Sequence, residues 1–194
     1  MPRRSLKTER TEEILDAFER CILKHGMQGS SLERIAEEAG MGRTILRHYI
    51  GNRDDLIIAV TDRFVADSIN QFSGLINSLP ISDRIDALLT ILFQDDESFD
   101  MGRSRIADAL IAEATRLEKV RDLLGNWFDG LVSLVEHELR NEYRAVAMTE
   151  CRAAALGIIS TYFVIGSLQP MTASPAYRAT AQKAAKQLVS SLKK

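Results

Sequence analysis

The chain has few cysteines, few histidines and no strong excess of either charge. Its two cysteines, Cys21 and Cys151, stand far apart on apolar-looking helix faces. That excludes a disulfide framework and a zinc site and leaves two buried free thiols. Three histidines in 194 residues leave little for acid–base work. The nearest approach to a catalytic motif, His137-Glu138-Leu139-Arg140-Asn141, has asparagine where a zinc-binding HExxH helix needs its second histidine. There is no Walker loop, no GxGxxG and no nucleophile elbow. We therefore expect no enzyme, no metal and no cofactor. Long apolar runs are missing as well. The longest, Ala153 to Leu168, is interrupted by Gly157, Ser160, Thr161 and Gly166 and bounded by Arg152 and Pro170. It falls short of the roughly 20 residues that span a bilayer, so a buried helix and no membrane partner are expected. The first ten residues, MPRRSLKTER, lack the apolar run of a secretory signal, which points to the cytoplasm. Arg3, Arg4, Lys7 and Arg10 there read as a disordered basic arm.

What is present fits a helical protein. A 45% hydrophobic and 27% charged composition is that of a soluble globular chain. The net charge of −2 does not suggest nucleic acid, but its distribution is uneven. Residues 1–53 hold ten Lys/Arg against eight Asp/Glu, leaving fifteen against nineteen for the rest. The modest positive excess coincides with the most informative stretch, SSLERIAEEAGMGRTILRHYIGN, from Ser30 to Asn52.

Within that stretch Leu32, Ile35, Ala36 and Ala39 recur at i, i+3, i+4 and i+7, one narrow apolar stripe of a short helix. Ser30 or Ser31 can cap it, and with Ser30 as cap Glu33 would complete a capping box. Gly40 stands where a helix needs a left-handed residue to stop. A second helix starts near Gly42, turning Met41, Leu46 and Ile50 one way and Thr44, Ile45, Arg47 and His48 another. Two short helices joined by a glycine turn read as a helix-turn-helix. Cations, a hydroxyl, an imidazole and a bare isoleucine suit a face that enters a major groove: arginine reads guanine edges or phosphates, and threonine and isoleucine meet thymine methyls.

A first helix, about Thr11 to His25, precedes this pair and buries Ile14, Ala17, Phe18, Cys21 and Ile22. Phe18, Ile22, Leu32, Ile35, Leu46 and Ile50 form the expected small core. After Gly51, Asn52 as cap with Asp55 at the third helical position restarts a helix that runs to about Ser78. Arg53 stands at its N-terminal end, where a phosphate could bind. Five further helical patterns follow, with an irregular linker at Asp95 to Arg103 and no convincing strand. The last two, about 144–168 and 175–193, are rich in small residues that permit close approach. They suit either an oligomer interface or a well-packed internal pair. The reading is all-α: a three-helix helix-turn-helix domain at 1–53 and a helical domain at 54–194, to which the resemblance described next adds effector binding and dimerisation, about nine helices in all.

Residues 11–60, with KHGMQGSS, LERIAEEAGMG and RTILRHYIGNRDDLIIAV, resemble the N-terminal domain of the TetR (tetracycline-repressor) family of bacterial transcriptional regulators. The resemblance implies a homodimer pairing through the last two helices, a ligand pocket enclosed by the fourth to eighth, and two recognition helices on a palindromic double-stranded DNA operator. Carried over by position, Arg43, Thr44 and Ile45 would face bases. Arg47, His48, Tyr49 and Arg53 would mostly hold phosphates, and Ser31 would add a backbone contact. Several positions depart from the family pattern: Arg47 stands where tyrosine is usual, Thr44 where glycine or proline is frequent, Ile45 where threonine is, Ile50 where phenylalanine is, and Arg53 where lysine is. Arg47 can both hold phosphate and read bases, which suits an unusual operator. The effector candidates are Phe93, Phe99, Met101, Trp127, Phe128, Tyr162 and Phe163, a set that suits an apolar or aromatic small molecule. The expected function is a ligand-responsive repressor released from DNA by its effector. The competing reading is a helical protein–protein interaction module without specific DNA binding.

Overall fold

The computed structural model describes residues 6–94, 101–171 and 175–193. Among the described residues there are nine helices and no strand: α1 (Leu6–Gly29), α2 (Leu32–Glu38), α3 (Arg43–Ile50), α4 (Arg53–Ser78), α5 (Arg84–Phe93), α6 (Met101–Glu113), α7 (Glu118–Glu142), α8 (Met148–Leu168) and α9 (Pro175–Ser191). The all-α expectation and its helix count are met. The chain forms two compact units, Met1–Ala66 with Arg105–Gly125, and Asp67–Ser104 with Asn126–Lys194. The boundary falls inside α4, α6 and α7, whereas the sequence drew one between 53 and 54.

In the first unit α1 buries Ile14, Leu15, Ala17, Phe18, Cys21 and Ile22. It starts at Leu6, earlier than Thr11, because Glu9 favours the first turn and Arg10 pairs with Glu13 at 2.6 Å. Lys7 and Arg10 are thus helical and not part of an arm; Arg3 and Arg4 lie outside the described residues. Gly26, at φ 71°, breaks the helical geometry where the stop was expected. Helix α4 is tied to α1 by Arg63, whose guanidinium meets Asp16 at 2.6 Å, Glu19 at 2.7 Å and Glu12 at 3.1 Å. Segment 105–125 adds Arg105 donating to the Leu23 carbonyl and Arg116 bridging Asp54 and Glu113, each at 2.8 Å. Of the expected core, Phe18, Ile22, Ile35 and Leu46 are buried. Leu32 and Ile50 are half-buried, since one opens α2 and the other closes α3, where a facing helix no longer covers them.

In the second unit α9 packs on α8 and on α5. Gly157 of α8 lies against Leu188 of α9 so closely that a Cβ there would come within 2.7 Å of its side chain. Ala154 and Ala155 are also buried. Arg84 closes this unit's end of α4: it donates to the Ile76, Leu79 and Pro80 carbonyls while pairing with the buried Glu138 at 2.7 Å. Glu138 of the HExxH-like pentad is therefore engaged in a structural ion pair, and His137 beside it is exposed.

Two further boundaries differ from expectation. Helix α6 already includes Gly102 and Arg103, because one glycine costs only about 1 kcal/mol in a helix whose Ile106, Ala107 and Leu110 are buried. Residues 95–100 lie outside the described set. Helix α8 begins at Met148, after a turn in which the Val146 N–H donates to Tyr143. Even so it has 21 residues and a mean hydropathy of 1.5, long and apolar enough by length and composition to cross a membrane, unlike the shorter run considered from sequence. One side of it is packed within the chain, where Cys151, Ala154, Ala155, Ile158 and Ile159 are buried, while Leu156, Val164 and Leu168 are exposed, and Arg152 is held at 3.0 Å by both Asp129 and Glu136. Both cysteines are buried and free, with burial raising their pKa values.

Candidate nucleic-acid interface

The geometry of α2 and α3 is fixed by their termini. Ser31, not Ser30, caps α2, its hydroxyl accepting from the Arg34 N–H at 3.3 Å. Ser30 is buried and donates to the Gly26 carbonyl at 2.7 Å, so the capping box through Glu33 does not form. At the other end Gly40, φ 64°, carries a complete Schellman closure. Its N–H donates to Glu37 at 3.0 Å, and that of Met41 donates to Ala36 at 2.9 Å. After α3, Gly51 again takes a positive φ, and Asn52 and Asp55 form a reciprocal box. Asn52 Oδ1 accepts from the Asp54 and Asp55 N–H groups, and Asp55 accepts from the Asn52 N–H at 2.9 Å. Helix α3 is thus held between two backbone stops that its own sequence specifies.

Between them α3 has one buried residue, Leu46, fully enclosed. Arg43, Thr44, Ile45, Arg47 and His48 are exposed, and Ile45 presents half of its surface to solvent. Tyr49 is half-buried with its ring edge-on to His48 at 5.5 Å. Arg43, Thr44, Ile45, Arg47 and His48 thus occupy the solvent side of α3 away from Leu46, whereas Ser31 stands at the cap of α2 and Arg53 at the start of α4. Two of the cations are already engaged. Arg43 Nη1 meets Glu33 Oε1 of α2 at 2.5 Å, and the Arg53 guanidinium donates to the Met27 carbonyl at 2.5 Å. In the sequence Glu33 is expected as the partner of a Ser30 cap, and neither contact has a spacing signal, since the partners lie on different elements. Glu33 is held below the usual carboxylate range by its own backbone N–H, then by Ser31 and Arg43. Glu38 is lowered by hydrogen bonds from Lys24 at 2.7 Å and Arg20 at 2.8 Å, which pin α2 to α1.

In the second unit five of the seven effector candidates come together. Phe93 stands edge-on to Tyr162 at 6.4 Å, Tyr162 to Phe163 at 5.3 Å, and Phe163 lies 5.0 Å from Trp127 and 6.1 Å from Phe128. Trp127 donates to the Ser68 hydroxyl of α4 at 2.9 Å, a partner the sequence did not reveal. Burial raises the Tyr162 pKa. Phe99 lies outside the described residues; Met101 is placed only as the first residue of α6. Among the described residues no group of three or more His, Cys, Asp or Glu side chains could hold a metal ion.

Fold and site together define a helix-turn-helix protein. Residues 14–60 match the model of the family described as bacterial regulatory proteins, tetR family. The likeness to that family is carried by this N-terminal segment. The chain is 40% identical over 57 residues to the HTH-type transcriptional regulator PksA of Bacillus subtilis strain 168, a match covering 29% of this chain and 28% of that one. To the HTH-type transcriptional regulator BetI of Agrobacterium fabrum strain C58 it is 27% identical over 125 residues, 64% of this chain and 60% of the other. The chain thus spans less than two thirds of the length of either relative. A TetR transcription regulator from Haloarcula marismortui superposes with a TM-score of 0.75 at 18% identity, over 95% of this chain and 98% of that one, a likeness of fold.

Proposed function

We propose that this chain is a DNA-binding transcriptional regulator, a repressor that holds a palindromic operator as a homodimer and leaves it when a small molecule binds the second unit. The observation that carries the reading is the outer face of α3: five exposed residues able to meet bases or phosphates, backed by the single buried Leu46. Arg43, Thr44 and Ile45 are the proposed base readers. Arg47, His48 and Tyr49 are proposed to hold phosphates, with Ser31 and Arg53 beside them. Arg53 must then serve a phosphate while bonded to Met27, or release it.

The dimer is assigned to α8 and α9. Gly157 of α8 already receives Leu188 of α9 within the chain, and the proposed interface is the exposed surface of the same two helices. Leu156, Val164 and Leu168 lie there within an arc of about 120° on a helix advancing 100° per residue, with Tyr177 exposed on α9. Two recognition helices would then enter major grooves about 34–36 Å apart. A DNA operator places the protein in the cytoplasm.

The effector site is assigned to Phe93, Trp127, Phe128, Tyr162 and Phe163, with Phe99 and Met101 retained from the sequence. Its aromatic character suits an apolar or aromatic molecule. Helix α4 is the proposed transmitter, being one uninterrupted helix that supplies Asp54 to the first unit and Ser68 to the second. Only a difference in affinity between two conformations can move the equilibrium: a coupling of about 1–3 kcal/mol changes operator affinity roughly 5- to 150-fold. The test is selection of bound duplexes from a random DNA pool at two salt concentrations. Enrichment of a palindrome supports the reading; salt-sensitive retention without enrichment refutes it. Titrating apolar aromatic compounds against Trp127 fluorescence tests the effector class, and silence across the panel counts against it.

A further inference from the structure

Arg43 opens the recognition helix, yet it is paired with a carboxylate of the neighbouring helix. The ion pair to Glu33 is 2.5 Å long, and the two side chains are 53% and 59% exposed. Such an exposed pair changes stability by at most a factor of about five, so the fold does not depend on it. Its position gives it another consequence. A guanidinium on a recognition helix is attracted by every phosphate, and this attraction carries no sequence information. With Nη1 held by Glu33, the positive charge is offset and the planar fork is fixed, leaving its other donors for an outside acceptor.

Resting on the DNA-binding reading, we propose that Glu33 is a positioning residue for operator specificity: it holds Arg43 away from indiscriminate phosphate contact and orients the guanidinium towards a base edge. A phosphate approaching Arg43 meets the carboxylate as well and is repelled. A guanine edge, neutral and bidentate, can share the fork. Specificity here comes from a repulsive element added to an attractive one. Leu32 and Ile35 flank Glu33 on the inner side of α2, so the carboxylate's place over α3 is set by helix packing and by the Ser31 cap.

The experiment compares the full chain, Glu33→Gln, Arg43→Ala and the double variant. Each is titrated against the duplex the parent enriches, against that duplex with single base changes, and against a scrambled duplex of equal length, over a salt series. Expected for E33Q are tighter binding to the scrambled duplex, a log K against log salt slope steeper by about 0.9, and discrimination at one base position reduced by up to about fivefold, the limit for a pair this exposed. In the Arg43→Ala background the same substitution should change neither slope nor discrimination. An E33Q chain that keeps the parent's slope and base preference overturns the proposal. So does an E33Q effect that persists without Arg43, which would show simple charge removal. If the parent enriches no duplex, the DNA-binding reading fails first and takes this inference with it.

Discussion

Leu46 is the sole buried residue of an eight-residue helix, and truncating it isolates the recognition segment's stability from that of the rest of the chain. An isolated helix of this length does not persist in water, so α3 depends on what Leu46 buries. Leu46→Ala removes three carbons, roughly 2.4 kcal/mol of transfer free energy at about 0.8 each. An incompletely collapsed cavity raises the expected loss to about 3 kcal/mol. The loss should appear as easier local opening of α3, since α1, α2 and α4 keep their own buried residues. At about 1.4 kcal/mol per decade, amide hydrogens of the segment 43–50 should exchange on the order of 100-fold faster. Peptides from α8 and α9 should exchange at parental rates. Hydrogen exchange read by mass spectrometry reports both segments in one experiment. Acceleration of α3 by less than about tenfold would refute the anchor reasoning. Equal acceleration of α8 and α9 would show that the chain opens as one cooperative body and that α3 has no separate stability.

Other predictions follow from the same contacts. Asn52→Ala should lower stability by about 1 kcal/mol, whereas Asn52→Asp should preserve the box; thermal melts decide. Arg47→Ala should reduce the salt slope of DNA binding by about 1 without destabilising the chain. Arg53→Ala should also lower the melting temperature, because it frees the Met27 carbonyl. Glu38 and Asp54 are both held below their ordinary carboxylate pKa values, Glu38 by Lys24 and Arg20, and Asp54 by Arg116. Their contribution is therefore present above the ordinary carboxylate range and lost as pH falls through the depressed values. Melts between pH 7 and pH 3 should show a steeper acid loss for the parent than for Glu38→Gln with Asp54→Asn. Parallel profiles would refute the assignment.

Local signals proved legible and distant ones did not. The glycine stops at 26, 40 and 51 and the Asn52–Asp55 box are consequences of backbone chemistry within five residues, and each could be read directly. The face of α3 followed from a 100° rotation per residue. Choosing between Ser30 and Ser31 failed because the competing bond, Ser30 to Gly26, depends on how the chain leaves α1. Arg116 with Asp54, Arg84 with Glu138 and Trp127 with Ser68 join residues more than 50 positions apart, and no periodicity encodes them. The aromatic candidates could be named because their types are rare in the chain; which of them meet depended on how α5, α7 and α8 pack.

The recognition helix is stopped by its own glycines and held by one leucine, so its remaining outer positions answer to almost nothing inside the molecule. Substitutions at Thr44, Ile45, Arg47 or His48 alter no buried contact and no helix boundary. On the proposed DNA-binding reading, descendants of this chain can therefore acquire new DNA targets through single codon changes while foldability stays constant, and selection can act on gene control alone.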